Sequence, residues 1–171
     1  GVNKKLKGQV FNFKYNDYES LKKLIYKNKI GTVIMEVERN IKPKNNFLKK
    51  VRSLTKKNNI ILIFDECTSA FRETYGGLHK KYKVNPDIAI FGKALGNGYA
   101  INAVVGSKKV MMKAKDSFIS STFWTERIGP SAGIATLNEM KRVKSWKYIS
   151  KLGEYIKENW IIIAKKNNIK I

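Results

Sequence analysis

Between residues 17 and 106 the hydrophobic pattern switches repeatedly between the 3.6-residue repeat of a helix and the short solid runs of buried strands. From Asp17 to Lys29, Tyr18, Leu21, Leu24 and Ile25 recur at helical spacing, and Asn16 or Asp17 can cap the start. Thr32-Val33-Ile34-Met35-Glu36-Val37 is then β-branched and apolar, which predicts a buried strand. A second helix opens at Asn45 or Asn46 and runs through Phe47, Leu48, Val51, Leu54 and Lys57. Ile60-Ile61-Leu62-Ile63-Phe64 is apolar without a break, as a strand covered on both faces reads in a parallel sheet. After the turn at Asn85-Pro86 comes a third strand, Asp87-Ile88-Ala89-Ile90-Phe91. Ala103-Val104-Val105-Gly106 is a fourth, whose pairing need not be parallel. Strand, helix, strand in this order predicts an α/β fold, a mostly parallel sheet with flanking helices.

From about Glu126 the pattern turns wholly helical. Ile134, Leu137, Met140 and Val143 mark one helix, and a longer one follows Ser145. On the longer one, Trp146, Ile149, Leu152, Ile156 and Trp160 form a stripe that reads as core rather than as a cofactor site. There is no internal repeat and no low-complexity linker.

Composition excludes several classes. Of the 171 residues 43% are hydrophobic, enough for a real core, which argues against wholesale disorder. No apolar run approaches the ~18 residues of a membrane span. Gly1-Val2-Asn3-Lys4-Lys5 has no apolar stretch behind its charges, so no signal peptide is expected, and the first residue is not Met. One cysteine, Cys67, leaves no internal disulfide and no cysteine-based zinc cluster, so the cytoplasm is the default compartment. The net charge of +22 raises nucleic acid as a partner. That charge is mostly Lys, is spread along the chain and travels with Asn and Ile, without Arg stripes or aromatic readers. Solvated lysine faces are the plainer reading, with neither nucleic acid nor membrane as partner.

In open α/β sheets ligands bind beyond the carboxyl ends of the strands. The residues found there are Glu36, Asp65-Glu66 and Gly92-Lys93. A carboxylate at a sheet edge is costly to bury unless a cation meets it. Most of the many lysines are expected in solvent. Lys93 differs, because it ends an apolar strand and enters the loop Gly92-Lys93-Ala94-Leu95-Gly96-Asn97-Gly98. Glycines there permit tight turns and a close ligand approach.

These residues carry a resemblance. Ile63-Phe64-Asp65-Glu66-Cys67-Thr68-Ser69-Ala70-Phe71-Arg72, Pro86-Asp87-Ile88, Phe91-Gly92-Lys93-Ala94-Leu95-Gly96-Asn97-Gly98-Tyr99 and Ala103-Val104-Val105-Gly106 resemble the class III aminotransferases. Ile119-Ser120-Ser121-Thr122-Phe123-Trp124 and Ser131-Ala132-Gly133-Ile134-Ala135-Thr136-Leu137 fit the same family, nearest its glutamate-1-semialdehyde aminomutase-like branch. The resemblance runs from about Val10 to the C-terminus, and it is the order and spacing of several blocks that makes it specific.

The resemblance implies a fold type I PLP-dependent transferase: a homodimer with shared active sites, pyridoxal 5'-phosphate as cofactor, and amino transfer as an aminotransferase or an aminomutase (an isomerase). Lys93 matches the catalytic Schiff-base lysine, which holds the cofactor as an internal aldimine and then shuttles the proton. Asp65 matches the carboxylate that pairs with the pyridine nitrogen and keeps it protonated. Cys67 stands where the family usually has Val, packing on the cofactor ring rather than acting as a nucleophile. Thr122 matches a threonine that contacts the cofactor phosphate across the dimer interface, with a helix cap as its alternative role. Thr125-Glu126-Arg127 replaces a common Gly-Asn-Pro, and Glu36 lacks the proline of the family's Glu-Pro element. His79 is read on a polar loop, without a partner or a role.

The family also implies that the chain is an internal fragment. Residues 1–143 match the second half of the cofactor-binding large domain, and 144–171 the first helix of the C-terminal small domain. The partners implied are small-molecule amino donors and acceptors. A basic nucleic-acid-binding module and a non-catalytic aminotransferase fragment remain the alternative readings.

Overall fold

The computed structural model describes residues 3–171 apart from Ser121 and Trp124. Gly1 and Val2 of the N-terminal stretch, and these two residues of the 119–124 block, lie outside the described residues. Four strands form one sheet in the order β1-β2-β3-β4: β1 (Thr32–Glu36), β2 (Ile61–Asp65), β3 (Ile88–Phe91) and β4 (Ala103–Gly106). β1, β2 and β3 run parallel, whereas β4 returns antiparallel to β3. The expected α/β fold on a mostly parallel sheet is therefore present.

The helices that join the strands follow the sequence signals. α1 (Tyr18–Lys27) is capped by Asp17, whose carboxylate accepts from Ser20 N at 2.9 Å. α2 (Phe47–Lys57) starts after Asn46 in a left-handed conformation, which asparagine tolerates better than most residues. α1 and α2 pack Leu21, Ile25, Phe47, Leu48, Val51 and Leu54 against Val33, Met35, Leu62 and Phe64, which point to one face of the sheet. Two helices escaped the sequence pattern because each is a single turn: α3 (His79–Tyr82) and α4 (Lys108–Met111). α5 (Ile128–Val143) and α6 (Ser145–Lys166) complete the chain. Glu126 holds the start of α5, accepting from Ile128 N and from Gly129 N.

Asp87 ties the base of the sheet together. Its Oδ2 accepts from Leu62 N at 2.8 Å and from Arg52 Nη1 of α2 at 2.7 Å, while its backbone N–H reaches Leu62 O and its carbonyl takes Ser107 N–H. One residue thus links α2, β2, β3 and the end of β4.

Two expectations need correcting. The unbroken apolar run at Ile60–Phe64 predicts a strand covered on both faces, yet burial alternates: Leu62 and Phe64 are buried, Ile61 and Ile63 only partly so. The neighbouring Ile34 on β1 is 55% exposed. Among the described residues only the α1–α2 face has a full helical layer, while Phe71, Leu95, Leu137 and Met140 form a smaller cluster near Phe91 and Ala103. Likewise the α6 stripe is not core here. Trp146 meets Tyr75 with ring centroids 5.2 Å apart, but Ile149, Leu152, Ile156 and Trp160 are exposed.

The segment after β1 is pinned from two sides. Tyr15 donates its hydroxyl to Val37 O, and Tyr82 of α3 donates to the Glu38 carboxylate. Burial, then the charge of Glu38, pushes the Tyr15 hydroxyl well above its ordinary value; burial, then the bond to Glu38, does the same for Tyr82.

Two outcomes follow from this packing. Phe64→Ala is expected to cost about 3–5 kcal/mol in a urea unfolding titration, since its side chain is wholly buried. Because both tyrosines ionise later in the folded chain than in the unfolded one, their contribution is present in full below pH 10 and is lost as pH rises from there toward their raised folded values. Tyr82→Phe should flatten that alkaline decline in a pH series of thermal melts.

Candidate active site at the strand ends

Parallel pairing carries β2 and β3 to the same edge, and each delivers chemistry there. Asp65 is the last residue of β2, in register with Glu36 on one side and Ile90 on the other. The chain then turns, and Cys67 N–H donates back to Asp65 Oδ1 at 3.0 Å. A backbone donor of this kind fixes the plane of the carboxylate. Beyond β3, Gly92 leads into a 3-10 turn at Lys93–Leu95.

Lys93 reaches back across the gap. Its Nζ donates to Thr68 Oγ1 at 2.9 Å and lies 4.0 Å from Cys67 Sγ. Its backbone has φ of 40°, the left-handed region that costs a non-glycine residue on the order of 1–3 kcal/mol and collects at functional sites. Gly92 is there for space: a Cβ would stand 2.6 Å from Cys67 Sγ and closer still to Asn102 Oδ1. A side chain at 92 would force the Cys67 thiol and the Asn102 amide to shift.

The structure thus brings together three of the four residues singled out from sequence: Asp65, Cys67 and Lys93. Cys67 is half-buried rather than fully buried, and Lys93 is exposed in this chain. Thr122 sits in an exposed turn and is not joined to them here. It also caps no helix, because α5 begins after Arg127. Glu36 makes an ion pair with Arg39 at 3.2 Å, beside a cleft of about 310 Å³ lined by Tyr15, Glu36, Arg39, Asn40 and Ile41.

Sequence reasoning missed Thr68 and Asn102, which contact the strand ends only through turns that no periodicity describes. It also misread His79. His79 opens α3, is buried, and pairs through Nδ1 with the wholly buried Glu66. The signal was present, since a histidine close to a Gly-Gly turn can fold back on a strand end. It could not be decoded without the path of residues 67–78.

Comparison with known proteins gives the family and the fold. The family model for class III aminotransferases matches residues 4–170. The chain belongs to the class III aminotransferase family. It is 39% identical over 154 residues to a 3-aminobutyryl-CoA aminotransferase of Cloacimonas acidaminovorans, covering 83% of this chain and 36% of that protein. It is 40% identical over 149 residues to a glutamate-1-semialdehyde 2,1-aminomutase of Nitrosopumilus maritimus, covering 82% of this chain and 35% of that protein. The chain therefore spans just over a third of the length of these relatives. Among solved structures, ornithine delta-aminotransferase of Plasmodium falciparum superposes with a TM-score of 0.79 at 27% identity, over 88% of this chain and 41% of that one. The FumI protein of Sphingopyxis, solved in a PLP internal aldimine form, shares the fold with a TM-score of 0.86 at 22% identity, over 92% of this chain and 40% of that one. Fold and family stand as the sequence suggested.

Gly92→Ala is expected to destabilise the class III chain by about 1–3 kcal/mol, the cost of forcing atoms into a packed space. A drop in melting temperature with an unchanged secondary-structure spectrum would report it; no change would mean that the strand ends have room to spare.

Proposed function

We propose that this chain is part of a PLP-dependent enzyme that transfers an amino group between small molecules or within one, with Lys93 as the attachment point. The observation that carries this reading is the convergence of an amine, a carboxylate and a small soft group on one sheet edge. An amine can bond the aldehyde of pyridoxal phosphate, and a carboxylate suits its pyridine nitrogen. That donor set fits the ring end of the cofactor. Family membership and the names of the relatives, which include both an aminotransferase and aminomutases, support the same activity.

Pyridoxal phosphate, when bound, supplies an electron sink for the pair released as an amino substrate loses its α-proton. The residues of this chain have the remaining tasks. Asp65, whose Oδ1 accepts from Cys67 N–H, would pair with the ring nitrogen and keep it protonated. Cys67 would pack on the ring face. Lys93 Nζ would hold the cofactor by its aldehyde carbon and, as a free amine, carry the proton. Thr68 Oγ1 offers that amine a hydrogen-bond partner. Thr122, exposed here, would serve the phosphate of a second subunit in a homodimer, its hydroxyl donating to an anionic oxygen.

On the same reading residues 1–143 belong to the cofactor-binding large domain and 144–171 open a C-terminal small domain. The bare sheet face at Ile34 and the open stripe of α6 support that division, since both are apolar surfaces that a larger protein covers. Small amino donors and acceptors are the substrates, and the cytoplasm the expected compartment, given a single unpaired cysteine.

Borohydride reduction of the intact protein loaded with pyridoxal phosphate, followed by peptide mass spectrometry, tests the attachment. The pyridoxyl group is expected on the peptide that contains Lys93 and is expected to vanish in Lys93→Ala. Label on a different lysine would overturn the assignment. Asp65→Asn should still be labelled at Lys93 while kcat falls on the order of 100-fold or more, the scale of losing one preorganised charge partner.

A further inference from the structure

Immediately behind the site lies a buried carboxylate–imidazole pair that the proposed chemistry does not use. Glu66 follows Asp65, yet its side chain turns away from the edge and is completely buried. Burying a carboxylate is costly unless its oxygens are matched by donors, and here they are. Oε2 accepts from Leu78 N–H and from Ser69 Oγ at 3.2 Å, while Oε1 accepts from His79 N–H at 3.2 Å and faces His79 Nδ1. The Glu66 backbone is itself anchored to β3, its N–H donating to Ile90 O at 2.9 Å.

These bonds close the segment from Cys67 to Gly77 at its two ends. The segment is the one that carries the contacts of the site: Cys67 N–H on Asp65, and Thr68 Oγ1 on Lys93. Arg72 Nε braces it from within, donating to Thr68 O at 2.6 Å. Gly77 completes the closure, because a Cβ there would stand 2.6 Å from Glu66 Oε1 and press on the His79 ring. The pair is thus one residue removed from Asp65 in sequence and one hydrogen-bonded loop removed from Lys93 in space.

Resting on the reading of Lys93 as the attachment point, we propose that Glu66 and His79 form a positioning pair that holds Thr68 and Cys67 in register with Lys93 and Asp65. Neither residue touches the substrate. Their task is to keep the loop from drifting, since a misplacement of about 1 Å away from the chemistry can cost on the order of 100-fold in rate.

The test uses the intact protein loaded with pyridoxal phosphate and the variants Glu66→Gln, His79→Leu and His79→Gln. His79→Leu removes the side-chain donor, whereas His79→Gln returns an N–H close to Nδ1. The expected result is a fall in kcat on the order of 10- to 100-fold for His79→Leu, with the KM for the amino substrate little changed. Most of the rate should be restored in His79→Gln. Two readouts besides activity accompany it: the visible circular dichroism of the bound cofactor, and, in the cofactor-free protein, the labelling rate of Lys93 by an amine-reactive ester relative to the other lysines. Both should change in His79→Leu and return in His79→Gln. If His79→Leu lowers only the melting temperature and leaves kcat, dichroism and Lys93 labelling intact, the pair is structural and the proposal falls. It falls equally if His79→Gln is as impaired as His79→Leu. Should Glu66→Gln not fold, the two His79 variants decide alone. Failure of the underlying reading would look different, as absence of pyridoxyl label on Lys93 in the unaltered protein.

Discussion

The parallel register of β2 on β3 brings Asp65 and Lys93 to one edge of the molecule, and every other feature of the site presupposes it. In a parallel pair both strands must arrive from the same direction, so the chain between them has to travel back across the sheet. Residues 66–87 make that return, and they do so without a long helix. What fixes their path is hydrogen bonding at both ends: Glu66 at the start, with its buried carboxylate, and Asp87 at the finish, with Leu62 N–H and Arg52 on one oxygen. Two acidic residues at opposite ends of the strands therefore set the height of β2 against β3.

The electrostatics of the edge follow from that arrangement. Three carboxylates leave the strand ends in quick succession, and each has a different partner. Glu36 pairs with Arg39 in solvent, Asp65 takes a backbone N–H, and Glu66 is buried on His79 and two further N–H groups. Only Asp65 is left at the edge beside the lysine loop. The exposed pair at Glu36 contributes little by itself, because solvent screens it. The buried one has no such screening, and removing either partner would leave a buried polar group unmatched.

The apolar surfaces tell a complementary story. Val33, Met35, Leu62 and Phe64 turn one face of the sheet into a dense core with α1 and α2, whereas Ile34 on the other face stays open. α6 carries a row of Ile, Trp and Tyr that is largely exposed, with Trp146 set against Tyr75. The chain spans just over a third of the length of its class III relatives. The expectation of a strand covered on both sides fails at Ile61 and Ile63, which are only partly buried.

Local physics wrote the elements into the sequence. β-branched runs gave β1 and β2, helical spacing gave α1, α2, α5 and α6, and the position of Asp65 and Lys93 directly after apolar strands marked the edge. The single turns α3 and α4 left no mark, because four residues are too few to show a period. Tertiary structure alone decided which groups meet. The reach of Lys93 to Thr68, the wedge of Gly92 between Cys67 and Asn102, and the burial of His79 on Glu66 all depend on where an irregular loop folds back. Loops have no repeat to read, so their contacts emerge only once the strands they join have been placed.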